Sequence, residues 1–410
     1  MSKQEIIQNI SGILIELFDS LIVIDIPTDA SFLSYSDCGK PFGLDRNGYI
    51  NIYARLFNYI INLKGIGDAW SEDGVTEIIN NVLREFANKK INGGNIDNIK
   101  EANSIFDKVA IKFENQLCLI PVIGLSIDTQ MEIGDVTIRN IENSRELVSG
   151  KTFSFFDNLS SHKDSIATCY VQAEWRKATE FAREKSEYVL NILRFIGSLV
   201  WYNQPTRHIY IKGRDRSRFS YSLVINSKGF ASRAVNSEFI VLPYKIDAEF
   251  LESAKFYGFD YYKKLINNSN ISLIEKALTT AIQWYGDATQ DLLPLNSFIK
   301  YYISIETVLK NENESGKSVV PRRLSVLLSP FDKAKQRKLE KDIEGLIDER
   351  NSIFHSGVPI IEKPDYLDWI GKILGRSVIH QVRLRIASEK LQTKDDLIDW
   401  IKIHYSKYLK

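Results

Sequence analysis

The stretch Glu349-Arg350-Asn351-Ser352-Ile353-Phe354-His355-Ser356-Gly357 decides how the C-terminal part of the chain is interpreted. It brings a guanidinium, an amide and an imidazole together over six residues, Arg350 to His355. These are groups that acid–base chemistry on a phosphate uses. Gly357 is a residue type typical of helix ends, and Pro359 lies two residues farther. The stretch is therefore predicted to be the end of a helix that carries a functional site.

The spacing of these residues sets a geometric problem. On a helix with about 3.6 residues per turn, Asn351 and His355 share a face, whereas Arg350 and His355 point about 140° apart. Two solutions are open at this point. Either Gly357 ends the helix early and frees His355 to swing round, or two subunits pool their motifs in one site.

The residue types favour cleavage of an RNA phosphodiester. A helix C-terminus carries partial negative charge, which favours an imidazolium at His355, and a histidine suits general acid–base catalysis near neutral pH. Arg350 stays protonated and offers a fork of donors that matches a phosphate. The same spacing also fits a solvated Glu–Arg pair followed by a capping histidine, so the motif alone leaves both interpretations open.

The segments before the motif help to decide between these two interpretations. AIQWYGDA at 281–288 leads into LPLNSFIKYYISIETVLKN at 293–311, whose apolar stripe contains Glu306. A polar loop, the short segment VPRRLSVLL and a charged helix then lead to ERNSIFHSG. This order, with W-Y, F-I-x-x-x-I-S-I-E and R-N-x-x-x-H-S-G, resembles the ApeA-like HEPN domains of bacterial defence proteins. The resemblance covers about residues 272–410.

The resemblance implies an all-α helical bundle that dimerises and acts as a metal-independent ribonuclease. The positions that match the family motif are Arg350, Asn351 and His355. Glu306 stands where the family often has an acidic residue, and a structural ion pair is an equally open role for it. Glu349 is a second carboxylate that would support the site.

The sequence therefore predicts an endoribonuclease that cleaves RNA by attack of the 2′-hydroxyl, in anti-phage defence or abortive infection. Residues 1–270 are expected to restrain the enzyme or to bind a phage-derived trigger. The alternative is a non-catalytic HEPN module for dimerisation or adaptor binding. RNA and a second copy of the chain are the expected partners, and no cofactor or metal is expected.

The amino-acid composition limits the other classes of protein to which this chain could belong. The 410 residues carry 53 basic and 52 acidic side chains, so bulk charge does not steer the chain to nucleic acid or membrane. Three widely spaced cysteines predict neither a disulfide framework nor a thiolate metal site. The sequence lacks an apolar run of roughly 18 residues. We expect a soluble cytoplasmic protein that does not enter membranes.

The hydrophobic patterning predicts an α+β protein. Residues 1–117 are expected to form an N-terminal helical region, and 118–270 a mixed α/β region with a sensory or regulatory role. Residues 271–410 are expected to form an all-α HEPN-like helical bundle. Helices are predicted over residues 96–117, 176–202 and 248–266, and a polar loop near 150–165. In the middle region, HIYIKG and FSYSLVIN are predicted to form a hairpin around GRDRSR.

Two basic patches are candidates for RNA binding, because phosphate contacts need clustered lysine and arginine. The first contains Arg214, Arg216 and Arg218, and a solvated hairpin tip is the favoured explanation for it. The second contains Arg322 and Arg323, followed by five more cations up to Lys341. It lies just before the motif in sequence, and a solvated helix face is the alternative.

Overall fold

The protein is mostly helical with a small antiparallel sheet in its N-terminal half, an arrangement that is compatible with the expected α+β class. The computed structural model describes residues 1–23, 32–35, 41–44, 48–147, 165–201, 209–211, 221–225, 231–235, 244–268, 270–357 and 363–406. The predicted polar loop near 150–165 lies almost entirely outside these residues.

The chain divides into two compact units. Unit 1 comprises Met1–Cys118 and Tyr170–Ala182, and unit 2 comprises Leu119–Cys169 and Arg183–Lys410. The end of the first segment of unit 1 lies next to the predicted boundary at 117. The predicted middle region contributes to both units, and its sensory role stays a prediction.

Unit 1 is a small helical assembly with its own apolar core. Helix α1 begins at a capping box made by Ser2 and Glu5. The three strands of this unit pair antiparallel in the order β1-β3-β2. The helices are α1 Lys3–Asp19, α2 Ala54–Ile61, α3 Ile66–Ala69, α4 Glu72–Ile91 and α5 Asn98–Val109. A π-helical segment covers Gly48–Tyr53, and the strands are β1 Leu21–Val23, β2 Phe32–Tyr35 and β3 Pro41–Leu44.

A predicted helix over 96–117 ends earlier than expected, at Val109. The indole Nε1 of Trp70 donates a hydrogen bond to the Val109 carbonyl oxygen at 2.9 Å. That carbonyl would otherwise accept the amide of residue 113 in a longer helix. A tertiary contact therefore stops the helix, and the chain enters a strand at Gln116.

The sheet that begins at Gln116 has the strand order β6-β7-β8-β4-β9. Pairs β6–β7, β7–β8 and β4–β9 are antiparallel, and β12 pairs parallel with β5. The strands are β4 Gln116–Ile123, β5 Leu125–Ile127, β6 Met131–Ile133, β7 Val136–Asn140, β8 Ser165–Val171, β9 Tyr210–Ile211, β10 Tyr221–Ile225, β11 Ala231–Val235 and β12 Tyr244–Ile246. Helix α6, Ile141–Ser144, and a short 3-10 turn, Arg145–Leu147, follow β7.

Within the described residues, the two strands of the predicted hairpin around GRDRSR do not pair with each other. Strand β9 pairs antiparallel with β4, where Ile211 lies opposite Val122. Strand β10 pairs with β11 instead, and the sequence between them, NSKGF, contains turn-forming residues. Alternation of apolar residues identifies a strand, but it does not specify the partner of that strand.

The remaining elements are helices. The predicted helix over 176–202 is α7, Trp175–Val200. The predicted helix over 248–266 is split at Gly258, whose φ of +90° is left-handed, into α8 Ala248–Phe256 and α9 Phe259–Asn267. The C-terminal helices are α10 Leu273–Gln290, α11 Pro294–Leu309, α12 Gly316–Leu328, α13 Lys333–Ser356, α14 Pro364–Glu389 and α15 Lys394–Ser406. Helix α11 packs mainly against α10 and α14.

A buried ion pair on α7 joins this helix to β9 and α10. Arg194 is 0% exposed, and its Nη1 lies 2.6 Å from Glu187 Oε1 and also donates to Asn191 Oδ1. Its Nε and Nη2 donate to the Ile209 carbonyl at 3.0 and 2.7 Å. Gln290 donates to the same Glu187 oxygen and the same carbonyl. Loss of one partner from such a pair leaves an uncompensated buried charge.

The last turns of α7 reach α14 through a second set of polar contacts. The Tyr285 hydroxyl of α10 donates to Ser198 Oγ at 2.9 Å, and Arg376 Nη1 of α14 donates to the Ser198 carbonyl at 2.9 Å. Residues 183–200 of α7 therefore belong structurally with the C-terminal helices, although a sequence reading assigns them to the middle of the chain.

Helices α7 and α10 approach closely at Gly286. The Asn191 amide nitrogen donates to Gln283 Oε1 at 2.8 Å and to Asp287 Oδ1 at 3.2 Å, one turn of α10 apart. A Cβ atom at Gly286 would overlap the Asn191 side chain, including its Cβ, which rotation about χ1 does not move. Only glycine fits at this crossing.

Gly286→Ala is expected to lower the free energy of unfolding by about 1–3 kcal/mol, because the added methyl forces the two helices apart. Gly345→Ala is the matched control, since that helical glycine has no atom within 4 Å of a built Cβ. The control should be neutral or stabilising by up to about 1 kcal/mol. Urea denaturation of both variants measures the difference. Equal stabilities would contradict the close approach.

Candidate functional site around Arg350 and His355

Helix α13 carries the whole motif without interruption. It begins at Asp332, whose side chain accepts the Lys335 amide at 3.0 Å, and it runs to Ser356. Gly357 follows with a φ of +72°, and its amide donates to the Ile353 carbonyl at 2.9 Å. The glycine therefore ends the helix after His355 rather than before it. The first of the two predicted solutions, an early helix end that frees His355, does not occur.

Three neighbouring side chains hold the Arg350 guanidinium. Its Nη2 lies 3.5 Å from Glu306 Oε2, and its Nη1 donates to Asn351 Oδ1 at 3.0 Å. Its Cζ lies 5.6 Å from the centre of the Tyr302 ring. The side chains of Arg350 and Glu306 are 24% and 18% exposed. Arg350 is thus positioned by its surroundings but still reaches the surface.

Tyr302 is one helical turn before Glu306 on α11, so both side chains face Arg350. Burial raises the pKa of the Tyr302 phenol well above its usual range, and the negative charge of Glu306 raises it further, while Arg350 acts in the opposite direction. Tyr302 therefore stays a neutral phenol at neutral pH. Its ring offers Arg350 a π face rather than a base.

The start of α12 closes the other side of Glu306. A Cβ atom at Gly316 would overlap Glu306 Oε1, so the carboxylate sits where any other residue would place its side chain. This is also the first turn of α12, whose partial positive charge favours a carboxylate. Glu306 is held between a helix N-terminus and the guanidinium of Arg350.

His355 is exposed, in the last turn of α13. Ile353 fixes the orientation of this turn, because it is buried in an apolar cluster with Phe298 and Leu367. At 100° of rotation per residue, the Arg350 side chain points about 60° away from that of Ile353 around the helix axis, and the His355 side chain about 160° away. Arg350 therefore lies at the edge of the buried face and His355 on the solvent side. The two residues are also about 7.5 Å apart along the axis.

Glu349 lies close to the buried direction of α13. Its side chain is buried, about 40° around the axis from Ile353. It therefore points about 120° away from His355 around the helix axis. Its proposed support of the site would have to act through the packing of α13 and not through contact with His355.

The basic candidates separate into three groups. Arg214, Arg216 and Arg218 lie outside the described residues. Arg323 is buried, and both of its terminal nitrogens contact Glu314, at 2.5 and 2.6 Å. This pair lowers the pKa of Glu314 to about 2. Arg323 serves the fold and does not offer an RNA contact. Arg322 is half-buried, with its Cζ 5.6 Å from the Tyr405 ring.

Sequence reasoning did not single out Tyr302 or Gly316. The position of Tyr302, four residues before Glu306, is a signal that could have identified it as a neighbour of the site. The role of Gly316 depends on how α12 meets α11, and the sequence contains no local signal for that contact.

The described residues contain no cluster of three or more His, Cys, Asp or Glu side chains that could hold a metal ion. Within the same residues, no helix is both long and apolar enough to cross a membrane.

Comparison with known proteins gave no relative for this chain. No protein-family model, curated protein or solved structure matches it.

The Glu306–Arg350 pair is expected to be energetically coupled because it is partly buried. A double-mutant cycle with Glu306→Gln and Arg350→Gln should give a coupling of about 1 kcal/mol. The control cycle uses Lys317 and Asp348, which are closer, at 2.7 Å, but 63% and 49% exposed. That cycle should give about 0.2–0.5 kcal/mol. Urea denaturation supplies both values, and a larger coupling in the exposed pair would show that Glu306 does not fix Arg350.

Proposed function

We propose that this chain is a metal-independent HEPN-type endoribonuclease with Arg350, Asn351 and His355 at its site. The observation that carries this proposal is the contrast between the two motif residues on α13. Arg350 is held by Glu306, Asn351 and Tyr302, while His355 is exposed in the last turn. A positioned cation can stabilise the charge that develops on an RNA phosphate, and an accessible imidazole can transfer the protons during in-line attack.

His355 and Arg350 have different roles in the proposed reaction. The RNA 2′-hydroxyl attacks the adjacent phosphorus as its proton is removed, and the 5′-oxygen of the next nucleotide leaves as it gains a proton. His355 acts as a proton-transfer group in these steps. Arg350 stabilises the additional negative charge of the pentacoordinate phosphorus. The products are a 2′,3′-cyclic phosphate and a 5′-hydroxyl, so neither water nor an oxidant is consumed.

Asn351 has a different role from His355. Its amide oxygen accepts a hydrogen bond from Arg350 at 3.0 Å. Asn351 therefore acts as a positioning residue for the guanidinium. Glu306 performs the same task from α11.

A two-fold dimer through the C-terminal helices is the second part of the proposal. Because α13 is continuous, Arg350 and His355 of one chain diverge around its axis. A second copy related by a two-fold axis can bring its own motif to the same place. The site would then combine Arg350 of one subunit with His355 of the other.

The start of α14 supports an interface near the motif. Tyr366 and Trp369 are 46% and 53% exposed, and their ring centres are 6.0 Å apart. Leu367 between them packs with Ile353 of α13, so both aromatic residues lie near the motif end of that helix. Exposed tyrosine and tryptophan are typical of the centres of protein interfaces.

We also propose that residues 1–270 restrain the nuclease and bind a trigger of phage origin, as in abortive infection. Unit 1 has an apolar core of its own and a groove of 1010 Å³ between α1, α5 and the α2–α3 connection. Such a groove is large enough for a ligand or a peptide segment.

The alternative, a non-catalytic dimerisation or adaptor module, is favoured by one observation. The contact between Arg350 and Glu306 would also serve a purely structural arginine. The exposure of His355 opposes a role for its imidazole in packing the core, whereas a capping histidine at the helix end would also be exposed.

His355→Ala and Arg350→Ala are expected to reduce cleavage of total RNA by about 10²–10⁴-fold without unfolding the protein. Arg350→Lys should recover little activity, because an ammonium does not reproduce the guanidinium fork. Asn351→Ala should have a milder effect. Ser352→Ala on the same helix is the control and should retain activity. Full activity of the His355 variant would contradict the assignment.

The wild-type reaction should proceed in EDTA and give products that end in 2′,3′-cyclic phosphate. An all-deoxy substrate should stay intact, since it lacks the nucleophile. End-group analysis of the products tests this mechanism. Loss of activity in EDTA with recovery in Mg²⁺, or cleavage of DNA, would exclude it.

A further inference from the structure

A ladder of aromatic rings lies at the end of α13 opposite to the motif. Phe331, just before α13, is 71% exposed, and its ring centre lies 6.2 Å from that of His404 on α15. The His404 ring stacks on Trp400 at 4.0 Å with an interplanar angle of 27°. The guanidinium of Arg385, on α14, also lies against Trp400, with its Cζ 4.4 Å from the centre of the indole ring. The ladder thus runs from a buried indole to a solvent-exposed phenyl ring.

Cations surround this ladder. Arg322 lies against Tyr405, the residue after His404, and its charge also acts on Glu340 of α13. Lys333 and Arg337 are seven and three residues before Glu340, so they share its side of the helix. The same turns also expose further cations, namely Lys335, Lys338 and Lys341.

The placement of these cations is electrostatically costly for the helix. The first nine residues of α13, Lys333 to Lys341, contain five cations and one carboxylate. They lie at the helix N-terminus, where the partial charge is already positive. Two nearby carboxylates are already paired, Asp399 with Lys402 at 2.8 Å and Glu389 with Arg385 at 4.0 Å, and Glu340 is the one carboxylate among the five cations of these turns. The surface is therefore suited to a polyanion.

We infer that this basic aromatic surface, formed by Phe331, His404, Tyr405, Arg322, Lys333 and Arg337, binds single-stranded RNA. Phe331 offers a free ring face on which an unpaired base can stack, and the cations contact the flanking phosphates. A duplex keeps its bases stacked inside and cannot use the ring. The inference deepens the proposed function and rests on it for one point, that the bound strand is the substrate.

The surface is remote from the chemistry. Lys333 and His355 are 22 residues apart on one continuous helix, or about 33 Å at 1.5 Å per residue. Changes at the surface should therefore alter RNA affinity and leave single-turnover cleavage at saturating RNA unchanged.

The test measures fluorescence anisotropy of a labelled RNA of about 20 nucleotides, longer than a typical single-strand site. The full-length His355→Ala protein is used so that the RNA stays intact. Phe331→Ala should weaken binding by at least about fivefold, the lower end of what one lost stacking contact costs. Phe256→Ala is the matched control, because Phe256 is an equally accessible phenylalanine, 79% exposed, on α8. It should bind as the parent does.

Charge reversal provides a second variant that does not depend on the aromatic ring. Arg337→Glu should weaken binding and reduce the slope of log affinity against log salt, because fewer counterions are released. Lys276→Glu, an exposed change on α10, produces the same type of charge reversal elsewhere and should leave the slope unchanged.

Three results would overturn the inference: equal affinity of the Phe331 and Phe256 variants, binding of duplex RNA as tight as that of the single strand, or absence of RNA binding by the parent protein. The last would assign the surface to a protein partner. If the Phe331 variant binds weakly but wild-type protein cuts no RNA, the surface stands and the proposed nuclease falls. If wild-type protein cuts RNA and the Phe331 variant keeps full affinity, the proposed nuclease is supported and the RNA-binding surface is wrong.

Discussion

The uninterrupted course of α13 is the constraint on which the site depends. An intact helix fixes the angle between residues five apart, and no side-chain rotation removes a divergence of about 140°. Burial of Ile353 then fixes which side faces the core, so that Arg350 lies at its edge and His355 in solvent. In a single chain, the side chains of Arg350 and His355 point in different directions. If both residues take part in one reaction, the site combines Arg350 of one subunit with His355 of the other.

The rest of unit 2 keeps this helix in place. Helix α11 presents Tyr302 and Glu306 to Arg350, and it packs between α10 and α14. These two helices are joined to α7 by hydrogen bonds to Ser198 and by the buried Arg194 network. Such connected buried polar groups favour one arrangement of the helices over its alternatives. The position of Arg350 is thus set by contacts that begin far from it in sequence.

Local signals made the C-terminal helices predictable. Ser272, Pro294, Asp332, Gly357 and Pro364 mark helix ends by capping or by restricting the backbone, and the observed helices begin or end beside them. Contacts between distant segments were not predictable. Trp70 shortens α5, β9 pairs with β4, and Glu314 withdraws Arg323 from the surface. At the site, the motif residues could be found from their spacing, whereas the close approach of Gly316 to Glu306 could not.

The most direct test of a composite site is complementation between two inactive chains. Purified Arg350→Ala and His355→Ala proteins are mixed in equal amounts under conditions that allow subunit exchange, and cleavage of labelled RNA is measured. Half of the dimers are then mixed, and each mixed dimer contains one intact Arg350–His355 pair across its interface. Recovery of about a quarter of wild-type activity is expected for a two-fold dimer with two such sites. Recovery of none, with exchange verified by native mass spectrometry, would contradict a site shared between subunits.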